Sequence, residues 1–565
     1  MARTCRDLLQ LLRVSLPYAL TTTLLLLLLA FVNPFGLAVG AEQQSKALWQ
    51  SIYAPYYAGG SRDIPSRNAI TVVLIDDAAK AEMSRGVRFN GLAIATMIDD
   101  LVMVSDSRPR AIFVDLLLGE TAPVGRSFEA LVPHAGDEDA MAKCAAGAAD
   151  VDSPFRCLIF RVAELTKWKD WHDDPRCSVN AVERLRCIRG YGGVPVIFAD
   201  PGRVDDPAVK LTTPPGLLAL AEVGMTATVR VDSAKGYGFE DASIASTLFA
   251  LSAAAALYAD NCIDRLCSGT PFVMPQEEAA APARWNHAVF KTPIDIIWGE
   301  GTRSPFIEMR ASHGVDKLDE CKEKPPGLLD QAGAFFIGLV RGVRIDAKPR
   351  PAFERRCLHT DAFSFALFQQ MSLADKQLAL NGRTLLIGGA LANDNDVLAS
   401  GPFGGLPEVF THAMALDNLI QRGADYPRVA EPIWPWFDIT WTDIANIGAV
   451  FATTLVVAMV VHLLAAQSVA LGAPRFWVFR LMLLGVVFTA LLAMMFAMAR
   501  FNSLIPENFN LAALAITGLV GLKDIAFEVA APAWKVAQAR WRWLRFLSIG
   551  SIAQSVEKSR SVGES

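Results

Sequence analysis

ITVVLIDD, residues 70–77, decides the fold class. Ile70 to Ile75 run apolar or β-branched without a charge and stop at Asp76 and Asp77, as a strand buried on both faces does. A helical stretch follows, because Leu92, Ile94, Met97, Ile98, Leu101 and Val102 recur at helical spacing and Asn90 stands where an N-cap would. AIFV, residues 111–114, is a second buried strand, ending at Asp115. Strand, helix, strand is a βαβ unit, which predicts parallel strands and a right-handed crossover.

Working outward, Cys157 to Phe160 and Val194 to Phe198 read as further strands, the second ending at Asp200. Ser243 to Tyr258 reads as an Ala- and Leu-rich helix, and residues 270–293, with four prolines, as an irregular excursion. Thr384 to Ile387 is a strand entering the Gly388-Gly389 turn, Glu408 to Ile420 a helix, and Asp425 to Pro435 a linker. The expected fold is an α/β domain over residues 45–425 with a mostly parallel sheet.

Four apolar stretches frame that domain and predict transmembrane helices at 16–39, 444–466, 479–499 and 506–527. The first, at about 24 residues, makes a helix of about 36 Å, enough for a ~30 Å hydrocarbon core. Arg3, Arg6 and Arg13 precede it, Arg475 and Arg480 lie between the second and third, and Lys535, Arg540, Arg542 and Arg545 follow the fourth. Positive charge collects on the cytoplasmic side, so both termini are expected there and the large domain outside, on a bacterial inner membrane. Trp434, Trp436 and Trp441 fit an interfacial belt. Val39-Gly40-Ala41 also resembles a signal cleavage site, and export of the domain is common to both readings.

Eight of the nine cysteines, Cys144, Cys157, Cys177, Cys187, Cys262, Cys267, Cys321 and Cys357, lie in the outer block. An even number outside the cell predicts disulfides, while the lack of a CxxC pair speaks against zinc. Sequence leaves open about 105 pairings, sequential neighbours being one guess.

Chemistry-bearing motifs are scarce. The chain has no HExxH, Walker loop, GxGxxG or GxSxG, so no catalytic domain and no cofactor are expected. A net charge of −5 gives no basis for nucleic-acid binding. One constellation stands out: Asp76, Asp77, Asp115, Asp394 and Asp396 each follow a strand or its turn, and in a parallel sheet those ends share the edge where ligands bind. Gathered there, they would take a small ligand or a cation; separately, each would cap a helix or end a strand. His412 is a further ligand-binding candidate, or a packed side chain on the last helix.

Past the fourth apolar stretch, in the expected cytoplasmic segment 530–565, Trp534 and Trp541 fall on one helical face and Lys535, Arg542 and Arg545 on another. That pattern suits anchoring to lipid or docking of a partner. The remaining tail, from Ser548, is Ser-rich and charged, and the segment is too short for a catalytic domain.

VVLIDDAA (72–79), AIFVDLLL (111–118), LLIGGALANDND (385–396) and above all LPEVFTHAMALDNLI (406–420) resemble the CHASE type-two family of extracytoplasmic sensor domains. The last segment matches a closing motif in which a Pro and a His-Ala pair precede an Asp-bearing helix. Gly86-Val87-Arg88-Phe89-Asn90 replaces the Trp-Pro-rich segment usual in the family. The resemblance implies a membrane sensor, and the missing kinase or cyclase domain implies a signalling output protein in trans. A homodimer, an envelope scaffold and a periplasmic enzyme working at the carboxylate edge stay open.

Overall fold

The computed structural model describes residues 65–84, 91–102, 108–116, 131–134, 137–145, 154–178, 181–201, 215–229, 236–242, 249–263, 292–299, 358–390, 397–399, 405–428, 432–434 and 439–440, with scattered single positions such as Tyr57 and Phe290. Contacts divide the chain into one unit of Lys46–Glu431 and another of Met1–Ser45 with Pro432–Ser565. The four predicted spans lie almost wholly outside the described residues, among which no helix is long and apolar enough to cross a membrane.

In the first unit, β1 (Ile70–Ile75), β2 (Ala111–Asp115), β3 (Val196–Asp200), β4 (Met225–Thr228), β7 (Asp361–Ser364) and β8 (Thr384–Gly389) form one sheet. Its order is β4-β3-β2-β8-β1-β7, and every pairing is parallel. Two small hairpins join β5 (Glu240–Ala242) to β6 (Phe249–Leu251) and β9 (Val397–Ala399) to β10 (Gly405–Pro407). All six residues of β1 and all five of β3 are buried, Asp200 at the end of β3 included, which is why Ile70–Ile75 and Val196–Ala199 read as runs without a charge.

Chain direction sets the layers. From β1 through β2 and β3 to β4 the chain steps toward one edge, and from β4 it returns across the sheet to β7. Right-handed crossovers then put the outward and returning helices on opposite faces. One face carries α2 (Asp77–Ser84), α3 (Gly91–Val102), α5 (Pro154–Thr166) and α8 (Pro215–Val223), with α3 on α5 and both α5 and α8 on β3. The other face carries α9 (Ala253–Ile263) and α12 (Val409–Arg422), packed on each other; α12 also meets β1, β8 and the short α1 (Pro65–Ala69). The alanines at 253–256 have no exposure, and these small side chains let α9 approach the sheet and α12 closely. At the periphery lie α4 (Glu138–Ala145), α6 (Trp168–Trp171), α7 (Ala181–Gly190), α10 (Phe365–Gln370) and α11 (Leu373–Leu380).

Two expectations need correction. Cys157 to Phe160 is no strand but the middle of α5; Val162, Ala163 and Thr166 continue its buried face, and Pro154 starts it. A four-residue apolar run is ambiguous by itself, and the residues beyond it make the helix. The Ala-rich helix begins at Ala253 rather than Ser243, because Phe249–Leu251 are taken up by the hairpin with Glu240–Ala242. The predicted parallel direction of β1 and β2 is borne out, with β8 inserted between them and pairing with both.

Candidate functional site

Insertion of β8 creates the feature that marks a candidate site. The chain leaving β1 and β2 turns to the face of α2 and α5, whereas the chain leaving β8 returns as α12 on the opposite face. Strands whose connections diverge in this way leave a crevice at their carboxyl ends, where α/β folds bind ligands. Asp115 ends β2 opposite Gly388 of β8, and Gly389 sits opposite Ile75 of β1. Matched positions on parallel neighbours face the same way, so Asp115 and Gly388 both turn toward α12.

On α12, His412 meets that edge. Its Nε2 lies 3.7 Å from Asp115 Oδ2, its ring stands edge-on to Phe113, and its Nδ1 is 2.7 Å from the Tyr237 hydroxyl. That hydroxyl accepts the Ala254 N–H at 3.0 Å, and burial pushes its ionisation well up, so the neutral phenol donates to Nδ1. This assigns the His412 proton to Nε2, which is buried and has no hydrogen-bond partner among the described residues. Complete burial also lowers the His412 pKa to about 3, which keeps the imidazole neutral. A buried N–H donor thus faces a carboxylate across a gap too long for a direct hydrogen bond.

The other sequence candidates divide. Asp76 accepts the Ala79 N–H at 2.7 Å and its carbonyl accepts Lys80 N–H, so it caps α2. Asp77 is exposed in the first turn of that helix, where negative charge suits the helix dipole. Asp394 and Asp396 lie outside the described residues. The structure therefore brings together Asp115 and His412, with Asp76 across β8 in a capping role. Among the described residues, the one cluster with metal-ligand spacing is Asp174 with Cys177 and Cys187, and both thiols are bridged.

Sequence reasoning missed Tyr237, which reaches His412 from a loop segment with no motif. It also missed the buried charges. At the amino edge, Asp260 pairs with Arg110 at 3.2 Å and Arg189 at 2.7 Å, and Asp361 pairs with Arg383 at 2.8 Å and Arg67 at 3.5 Å. On α12, Asp417 Oδ2 lies 3.3 Å from His359 Nε2, both fully buried. Burial would raise the Asp417 carboxyl, but the charge of His359 and the polar groups of His359, Ser66 and Tyr57 hold it below the ordinary carboxylate range.

Cys144–Cys157 and Cys177–Cys187 form disulfides between sequential neighbours. Cys262 is also disulfide-bonded, whereas Cys267, Cys321 and Cys357 lie outside the described residues, as do Trp534, Lys535, Trp541, Arg542 and Arg545.

Comparison with curated proteins and with solved structures returned no match. The family model described as CHASE2 domain matches residues 22–460. With well over half of its 565 residues so matched, the chain belongs to the CHASE2 family of extracellular sensor domains.

Proposed function

We propose that this chain is a membrane-anchored receptor whose α/β domain binds a small extracytoplasmic ligand in the crevice at β8 and signals across the bilayer to a separate output protein. The observation that carries the reading is the orphaned His412 N–H facing Asp115 at the topological switch point. A ligand hydroxyl set beside this pair would bridge it, accepting from Nε2–H and donating to the carboxylate; a cation would be repelled by the N–H, and an anion by Asp115. Family membership, the disulfides and the four span-length apolar stretches with their charge bias support an exported domain on a multi-pass membrane protein. The basic aromatic segment around Trp541 and Arg542 is the contact for lipid and for the output partner.

Two experiments test this. A reporter active only in the cytoplasm should work when fused after Pro474 or Ser565 and fail near Ala424; activity near Ala424 overturns the topology. Full-length protein in detergent should melt higher with neutral polyols than with matched amines or carboxylates, and Asp115→Asn should abolish the difference. No polyol-specific rise in the wild type overturns the ligand reading.

A further inference from the structure

α12 joins the crevice to the places where the chain enters and leaves the domain. Its fourteen residues make a rod of about 21 Å, and every residue from Val409 to Ile420 is buried. Near its start, His412 accepts from the Tyr237 hydroxyl and faces Asp115. Toward its end, Asp417 meets His359, and the Gln421 Nε2 donates to both Ser66 Oγ and Asp417 Oδ2, each at 2.9 Å. Between them, Asn418 clamps the Ile297 backbone, accepting its N–H at 3.2 Å and donating to its carbonyl at 3.0 Å.

The partners at the far end are the chain's own gateways. Ser66 lies in α1, and Tyr57, whose ring stands edge-on to His359 at 4.8 Å, lies upstream of it; both follow the first apolar stretch. Past α12, Gly423 turns the chain with a positive φ of 54°, and the chain continues through Tyr426 and Arg428 toward the second apolar stretch. Gly299 seals the junction, since a Cβ there would fall 2.5 Å from the Tyr57 ring and 2.8 Å from His359. Entry and exit segments therefore meet the same end of one helix, whose other end touches the crevice. Packed interiors shift between discrete arrangements rather than deforming smoothly, so a change in seating at His412 reaches Asp417 and Gln421.

We infer that α12 is the transmission element of this receptor: the placement of His412 between the Tyr237 hydroxyl and Asp115 sets its seat, and the Ser66–Gln421–Asp417–His359 junction passes that seat to the entering and leaving chain. The inference rests on the receptor reading for its purpose, but its test uses no ligand and no membrane topology.

Hydrogen exchange on the full-length protein in detergent decides it. Asp115→Asn, and independently His412→Gln, should speed exchange by about fivefold or more in peptides covering 54–67 and 417–428, as expected for coupling between linked sites. Exchange around Arg110, Arg189 and Asp260 should stay unchanged. A Ser66→Cys/Gln421→Cys cross-link should suppress the response at the junction. Changes confined to the β8 edge and the first turn of α12, an equal rise everywhere, or a response unaffected by the cross-link overturn the inference. Failure of the polyol or fusion experiment alone removes the ligand or the topology and leaves this coupling standing.

Discussion

Gly388 of β8 lies so close to Val409 of α12 that a Cβ added to it would fall 2.5 Å from the Val409 Cβ. The glycine is needed for approach rather than for backbone freedom: it lets the last helix descend onto the central strand and brings His412 to the level of Asp115. Gly388→Ala should therefore destabilise the domain by about 1–3 kcal/mol through overpacking, and Val409→Ala should restore part of the loss. Chemical denaturation of the two single variants and the double variant gives the coupling; additive effects would show that the contact is not tight.

Burial of His412 predicts a pH dependence with a definite sign. The folded imidazole resists protonation down to about pH 3, whereas in the unfolded chain it takes a proton near 6.5. Between those values the unfolded state binds more protons, so the stability due to this group is complete above pH 6.5 and is lost as pH falls toward 3. From pH 7 to pH 5 the loss is about 2 kcal/mol. Urea midpoints at the two pH values should converge in His412→Gln, and an unchanged difference would place His412 in contact with solvent.

Asp260 has no exposure and holds two arginines. Asp260→Asn leaves buried guanidinium charge without its counterion and should destabilise by about 3–5 kcal/mol. Asp174→Asn, whose partner Arg176 is exposed, should cost no more than about 1 kcal/mol. Equal effects of the two substitutions would contradict the burial of the Asp260 cluster.

The two neighbour disulfides predict that Cys144, Cys157, Cys177 and Cys187 resist thiol reagents in native protein until reductant is added. Replacing both members of either pair with Ser should cost about 2–5 kcal/mol. Mass spectrometry after alkylation reads the labelling directly.

The β-branched run at Ile70–Ile75, the helical spacing from Leu92 to Val102 and the strand at Ala111–Val114 were legible because each element is long or periodic enough to carry its own signal. The helix at 157–160 was not, since four apolar residues fit either period and Val162, Ala163 and Thr166 settle the matter. The acidic edge was only half legible. Asp76 and Asp115 look alike in sequence, each ending an apolar run, yet one caps its own helix and the other faces a histidine from a distant segment.

Local pattern by itself determined the class of this protein: buried parallel strands, crossover helices, an export-compatible set of cysteines, and the His-bearing segment that carries the CHASE2 resemblance. These follow from the periodicity and chemistry of neighbouring residues, which a linear reading contains. Only the tertiary structure decided that β8 enters between β1 and β2, that α12 returns on the opposite face, and that His412, Tyr237 and Asp115 meet there. Strand order and long-range pairing depend on which apolar faces bury one another, a property of the assembled core that no single segment encodes.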